Sequence, residues 1–260
     1  MKQSLNEALD FCRTTAGSAA NGALRAWRSE HTLTRKGRAD FFTEADLTAE
    51  RHIVSAIQDR FPEHGILTEE VLSQNIDAPY LWVIDPIDGT MNYISGIPFF
   101  SVSVALLHHG RPLVGAVVDP YHDEVFSAAQ GQGAFCNDHP IQVSQQTDLT
   151  QSSLGTELHD SPQNVRHPVL HPDFTKRVGN VRMLGSTCLG MAYAASGRLD
   201  MAFYLQTNPW DIAAGALLVR EAGGLAVNWD GHFRPLNAGD MLSGPPVLVE
   251  AFRAAFVPRS

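Results

Sequence analysis

The residues best equipped for chemistry lie between Tyr80 and Asn92, which read YLWVIDPIDGTMN. Asp85 and Asp88 stand three residues apart at the end of an apolar run, followed at once by Gly89 and Thr90. The run lacks polar alternation and so suits a buried strand, while Pro86 and Gly89 force the chain to turn where it ends. Two carboxylates are thereby held at a strand terminus, where open α/β sheets place their ligands. Gly89 lets backbone N–H groups approach an anion closely. Acids beside such a cradle suit a hard cation and a phosphate group together.

Other readings of the same string can be weighed directly. A calcium loop of the EF-hand type needs a glutamate at its twelfth place, which counted from Asp85 is Gly96. Haloacid-dehalogenase-type phosphatases put one residue between their aspartates, whereas Pro86 and Ile87 both intervene here. That weakens, without closing, a route through a covalent aspartyl phosphate on Asp85 or Asp88. An Asx turn that merely closes a loop is the commoner fate of a single Asp-Gly pair.

The elements that must hold this string are legible around it. Leu5, Leu9, Cys12, Ala16, Ala20, Ala23, Leu24 and Trp27 recur at helical spacing, which predicts an amphipathic helix within residues 1–31. Residues 35–40 read as a polar, glycine-containing loop in which Lys36 is a phosphate-binding candidate. Thr43 to Asp46 resembles a capping box, opening a second helix that runs to about Arg60. Runs at Ser101–Leu107, Leu113–Asp119 and Glu124–Ala129 predict an antiparallel meander. Residues 148–179 show weak periodicity and read as a linker or surface segment; Pro168 and Pro172 argue against a zinc pair at His167 and His171. Beyond it come a helix at Cys188–Ser196, a strand at Met201–Leu205, a helix at Asp211–Ala222 stopped by Gly223-Gly224, and strands at Leu225–Trp229 and Val247–Val249. The class is a layered α/β or α+β protein, with no repeat or heptad pattern.

Composition bounds the partners. The chain has 260 residues, 44% hydrophobic and 18% charged, which is ordinary globular composition. A formal net charge of −9 argues against a general nucleic-acid or membrane-surface binder, since both gain affinity from excess Lys and Arg. No apolar run is long enough for a bilayer span, and Glu7 and Asp10 sit where a signal peptide needs an apolar core, so the expected compartment is the cytoplasm. Cys12, Cys136 and Cys188 are odd in number and far apart, and read as small buried hydrophobes.

Asp46, Glu69, Asp85, Asp88 and Asp211 share one signature, an acid at an element boundary beside small or turn-forming residues. Taken singly, Asp211 reads as a helix cap and Glu69 as a surface charge. Taken together, FFTEAD (41–46), ILTEE (66–70), WVIDPIDGTMN (82–92), GSTCLGMAYAASGRLD (185–200) and PWDIAAG (209–215) resemble the inositol monophosphatase family in order and spacing, over nearly the whole chain. The resemblance implies an α-β-α-β-α sandwich of the inositol monophosphatase and fructose bisphosphatase type. It implies a single unit over residues 1–260 with lobes of about 1–147 and 148–260, and a homodimer.

The resemblance also implies hydrolysis of a small phosphate monoester with two, in some members three, Mg2+ ions. Glu69, Asp85 and the Ile87 carbonyl would hold one ion, Asp85, Asp88 and Asp211 a second, and Glu69 a third. Asp46 and Thr90 would pair beside the attacking water, with Glu69 and Thr90 orienting it. Gly89 and Thr90 would grip the phosphate, and Lys36, Asp88, Gly185, Ser186, Thr187, Tyr204 and Asp211 would complete the substrate site. Two departures from the pattern stand out. Thr68 replaces a common glycine, and Tyr204 replaces a glutamate that in family members acting on inositol phosphates bonds inositol hydroxyls. Broad specificity including inositol monophosphate is expected, with histidinol, sugar and nucleotide phosphates open. The competing reading from another class is a metal-holding interaction protein.

Overall fold

The computed structural model describes residues 2–28, 33–37, 40–157, 174–237 and 239–256. It opens with α1 (Lys2–Ala26), and a hairpin of β1 (Leu33–Gly37) and β2 (Asp40–Thr43) then leads into α2 (Glu44–Arg60). The hairpin corrects the expected loop at residues 35–40, since Arg35 pairs with Phe41 and Gly37 with Asp40. Thr43 caps α2 as expected: its hydroxyl accepts from the Ala45 N–H at 3.1 Å, while Asp46 accepts from the Thr43 N–H at 2.7 Å.

Seven strands follow in a sheet of order β3-β4-β5-β6-β7-β8-β9. They are β3 (Gly65–Thr68), β4 (Tyr80–Asp88), β5 (Ser101–His108), β6 (Arg111–Asp119), β7 (Glu124–Ala129), β8 (Ala134–Cys136) and β9 (His139–Ile141), with the short helix α3 (Thr90–Ser95) between β4 and β5. β4 runs parallel to β3 and antiparallel to β5, and β5 to β7 form the expected meander. The unbroken apolar run of β4 has a simple cause. Trp82 and Ile84 pack under α1 and α2 with Cys12 and Ile53, while Leu81 and Val83 face the opposite layer, so both faces of the strand are covered.

The second half contains β10 (Ser153–Thr156), α4 (Phe174–Arg177), β11 (Asn180–Met183), α5 (Thr187–Ala195), β12 (Met201–Thr207), α6 (Pro209–Glu221), β13 (Leu225–Val227), β14 (Gly239–Gly244) and α7 (Pro246–Phe256). The five strands order as β11-β10-β12-β14-β13, with β10, β11 and β12 parallel. α5 and α6 lie between the two large sheets, sharing one core with Leu81 and Val83 on one side and Ala202 and Met241 on the other. The two helices approach closely because they are rich in Gly and Ala: a Cβ on Gly215 would lie 2.7 Å from Met191 Cβ. α4 and α7 cover the far face through Phe174, Phe252 and Phe256 on Phe203 and Leu242. The layers are therefore α-β-α-β-α, as the resemblance implies.

Three sequence expectations change here. Val247–Val249 is not a strand but part of α7, where Leu248, Val249, Phe252 and Phe256 bury a helical stripe behind Pro246. The strand from Leu225 ends at Val227, and β14, unforeseen, supplies its partner. The segment between 148 and 179 contributes β10 and α4 rather than a plain linker; His167 and His171 lie outside the described residues. Among the described residues no helix is long and apolar enough to cross a membrane.

Asn92 clamps the two halves. Its Nδ2 donates to the Phe99 carbonyl at 2.8 Å and to the Leu184 carbonyl at 2.7 Å. Asn92→Ala leaves both carbonyls without this donor and is expected to cost about 2–4 kcal/mol in urea denaturation. A loss below about 0.5 kcal/mol would show that the clamp is dispensable.

Candidate active site

A residue spacing of three would put Asp85 and Asp88 on opposite faces of a regular strand. The pairing of β4 with β5 corrects this, because Asp85 opposes Ser103 and Asp88 opposes Ser101, leaving one extra residue on β4. This bulge turns both carboxylates toward the layer of α5 and α6. The side chain of Ile87 meanwhile packs with Ala45, Tyr93 and Phe100.

Asp88 is received by the start of α5. Oδ1 accepts from the Thr187 N–H at 2.9 Å; Oδ2 accepts from the Cys188 N–H at 3.0 Å, from the Ser101 hydroxyl at 3.0 Å and from the Ser186 hydroxyl. Burial still pushes its carboxyl above the usual range. Asp211 is the third residue of α6 and accepts from the Asn208 N–H at 2.6 Å; burial, with Glu69 and Asp88 adding repulsion, pushes it up to about 8. Asp85 is held far above its ordinary value, by burial first and then by Glu69, Asp88 and Asp211, and it shares a hydrogen bond with Glu69. Asp85 Oδ1 is buried and has no partner. Asp85, Asp88 and Asp211 enter none of the ion pairs among the described residues.

Asp46 also lies within electrostatic reach of Glu69. Burial pushes it up to about 6 against the opposing bonds from Thr43, and the Glu69 charge adds to the rise. The Thr90 hydroxyl donates to the Ile87 carbonyl at 2.9 Å and stands 3.4 Å from Asp46 Oδ1, so the expected Asp46–Thr90 pair is adjacent but long. Gly89 takes φ 89° ahead of Thr90, and a Cβ there would meet the Gly185 carbonyl oxygen at 2.8 Å. Only glycine fits both the backbone angle and the contact.

The structure brings Asp46, Glu69, Asp85, Asp88, Gly89, Thr90, Gly185, Ser186, Thr187 and Asp211 together. Two expected substrate contacts change character. Ser186 is 1% exposed and its hydroxyl is committed to Asp88 while capping Leu189 of α5. Tyr204 is 2% exposed in the core shared by the two sheets, its hydroxyl against Gly190 of α5, so it lies beneath the site rather than across an open cleft. Lys36 is on β1, and its side chain lies outside the described residues.

Two residues at the site were missed in the sequence. Cys188 Sγ lies within 4.8 Å of carboxylate oxygens of Asp85 and Asp88 and donates to the Asp211 carbonyl at 3.2 Å. Glu157, just past β10, accepts at Oε1 from the Leu184 N–H at 3.0 Å and the Gly185 N–H at 2.5 Å; burial chiefly, with Asp88 adding to it, pushes its carboxyl up to about 7. Cys188 carries a signal in hindsight, since it follows the GST turn directly. For Glu157 the sequence offers only its place in a weakly periodic, polar segment.

Crowded carboxylates with an orphaned buried oxygen fit a divalent cation, and their hard oxygens suit magnesium. The site lies at the carboxyl ends of parallel strands in both sheets: Glu69 follows β3, Glu157 follows β10, Gly185 follows β11, and Asp211 follows β12.

This fold and this set of acids define a metal-dependent phosphatase scaffold, and the chain belongs to the inositol monophosphatase family, whose model matches residues 3–257. It is 36% identical over 254 residues to a Pasteurella multocida (strain Pm70) protein named Nus factor SuhB, covering 96% of this chain and 94% of that one. The solved extragenic suppressor protein suhB of Bartonella henselae superposes with a TM-score of 0.91 at 30% identity, over 96% of this chain and 98% of that one. The inositol monophosphatase of Anabaena (Nostoc) sp. PCC 7120 gives a TM-score of 0.83 at 34% identity, over 98% of each chain.

Raised carboxyls make the cation-free protein sensitive to base. Asp46 and Asp211 hold their protons more tightly folded than unfolded, so the stability they add is complete below about pH 4. It is lost as pH rises through about 6 for Asp46 and about 8 for Asp211. In chelator, the melting temperature should therefore fall between about pH 4 and 8, and millimolar Mg2+ should restore most of the loss at pH 8 by binding the native state. A melting temperature that ignores Mg2+ at pH 8 would contradict the convergence of these acids.

Proposed function

We propose that the chain hydrolyses a small phosphate monoester by direct attack of water, with Mg2+ as cofactor and with inositol monophosphate among several accepted substrates. The observation that supports this most is the buried, partnerless Asp85 Oδ1 amid Glu69, Asp88 and Asp211. Glu69, Asp85 and the Ile87 carbonyl would hold one ion, Asp85, Asp88 and Asp211 a second, and Glu69 would support a third if one binds. Such ions lower the pKa of water, neutralise phosphoryl oxygens and stabilise the departing alkoxide.

The chain's own groups do the rest. Asp85 would belong to both sets of ligands, and the Thr187 and Cys188 N–H groups fix the rotamer of Asp88. With the Ile87 carbonyl serving as a ligand, the Thr90 hydroxyl would donate to Asp46 instead, and its oxygen would accept from water. Glu69 orients that water from the other side and takes its proton. The N–H groups of Gly89 and Thr90 bind the phosphate. Histidinol-phosphate hydrolysis on the same scaffold is the alternative, and the neutral Tyr204 beneath the site is compatible with both. The relatives' name, Nus factor, favours an added binding role; a homodimer is the expected working unit.

The test is phosphate release from inositol, histidinol, sugar and nucleotide phosphates, with Mg2+ and with chelator. Release should require Mg2+ and be spread over several substrates; no release from any would overturn the reading. Asp88→Asn should abolish turnover while far-UV circular dichroism is retained. Thr90→Ala should lower kcat by about 10²–10⁴ with Mg2+ affinity largely kept. Acid quenching during turnover should trap no phosphoenzyme, and a trapped aspartyl phosphate would restore the covalent route.

A further inference from the structure

Tyr204, buried under α5, presents no carboxylate to substrate hydroxyls, whereas Glu157 is a further carboxylate beside the site that the proposed chemistry does not use. Glu157 follows β10, whose carboxyl end faces the site beside those of β11 and β12. Its Oε1 is pinned by the N–H groups of Leu184 and Gly185, and among the described residues no group donates to Oε2. The pinned turn lies over the phosphate cradle, because a Cβ on Gly89 would touch the Gly185 carbonyl oxygen at 2.8 Å. A monoester with its phosphate on Gly89 and Thr90 therefore carries its alcohol portion past Glu157. The carboxylate is also close enough to act electrostatically on both Asp88 and Tyr204.

We propose that Glu157 is a specificity-determining residue, whose Oε2 accepts a hydrogen bond from a hydroxyl of a polyol phosphate while Oε1 keeps the Leu184–Gly185 turn in place. The proposal rests on the phosphatase reading above. A carboxyl already fixed by two main-chain donors loses little freedom on meeting a hydroxyl, and above about pH 7, where Glu157 is ionised, the bond is charge-assisted. Glu157→Gln keeps an acceptor for the turn but removes the charge.

The experiment compares inositol 1-phosphate with phenyl phosphate, which has no hydroxyl, in wild type and Glu157→Gln. The ratio of their kcat/KM values should fall about tenfold or more in the variant, with the loss on inositol phosphate carried mainly by KM. An equal fall on both substrates, leaving the ratio at its wild-type value, assigns Glu157 to loop support alone and overturns the proposal. Should the variant not fold, single-hydroxyl-deleted inositol phosphates on wild type decide: one deletion should cost about tenfold, and a series with no such position overturns it. If wild type releases phosphate from neither compound, the phosphatase reading fails separately. The same ratio is then taken from calorimetric dissociation constants in Mg2+: its fall in the variant supports the role of Glu157, and its persistence overturns it.

Discussion

Like charges crowded out of water repel, and this protein gathers Glu69, Asp85, Asp88 and Asp211 where Asp85 and Asp88 are buried and Glu69 and Asp211 half-buried. Two unit charges about 5 Å apart at an effective dielectric near 20 repel by roughly 3 kcal/mol, so such a cluster needs support from elsewhere in the fold. Much of that support comes from helix starts. Asp46 is the third residue of α2, Asp211 the third of α6, and Asp88 receives the first N–H groups of α5. The positive ends of three helices thus offset part of the repulsion, and three acids of the cluster also act as caps. Asp85 is the exception, since its Oδ1 meets no donor.

The layer order follows from the same need. α5 and α6 must aim their N-termini at β4, so they lie between the sheets, and their Gly and Ala residues let both sheets close on them. That sandwich brings the carboxyl ends of β3, β4, β10, β11 and β12 to one place. Residues as distant in sequence as Asp46 and Asp211 then share a site without a long loop of their own. Asn92 fastens the joint by bonding carbonyls from either half.

The DPIDGT string, the Thr43 capping box and the WD pair were legible because each joins a chemistry-bearing residue to a local backbone signal: a turn, a cap or a helix start. The bulge that turns Asp88 to the same side as Asp85 was not, because only the partner strand reveals the extra residue. Burial of Tyr204 was equally hidden, since a tyrosine in a strand reads alike whether its tip meets solvent or Gly190 of a covering helix. The tail misled for another reason. Pro246-Val-Leu-Val has strand-like residues, but the stripe continuing to Phe252 and Phe256 makes it a helix, and tertiary packing on β14 decides.

The central claim is that a divalent cation completes what the helix starts leave undone at Asp85. The direct measurement is Mg2+ binding by calorimetry or equilibrium dialysis at near-neutral pH, for wild type and Asp85→Asn. The account predicts saturable binding to wild type and a loss of at least about tenfold in affinity for the variant, as one charge-bearing ligand is removed from the centre of the set. Equal Mg2+ affinity in the two proteins, both folded, would contradict it.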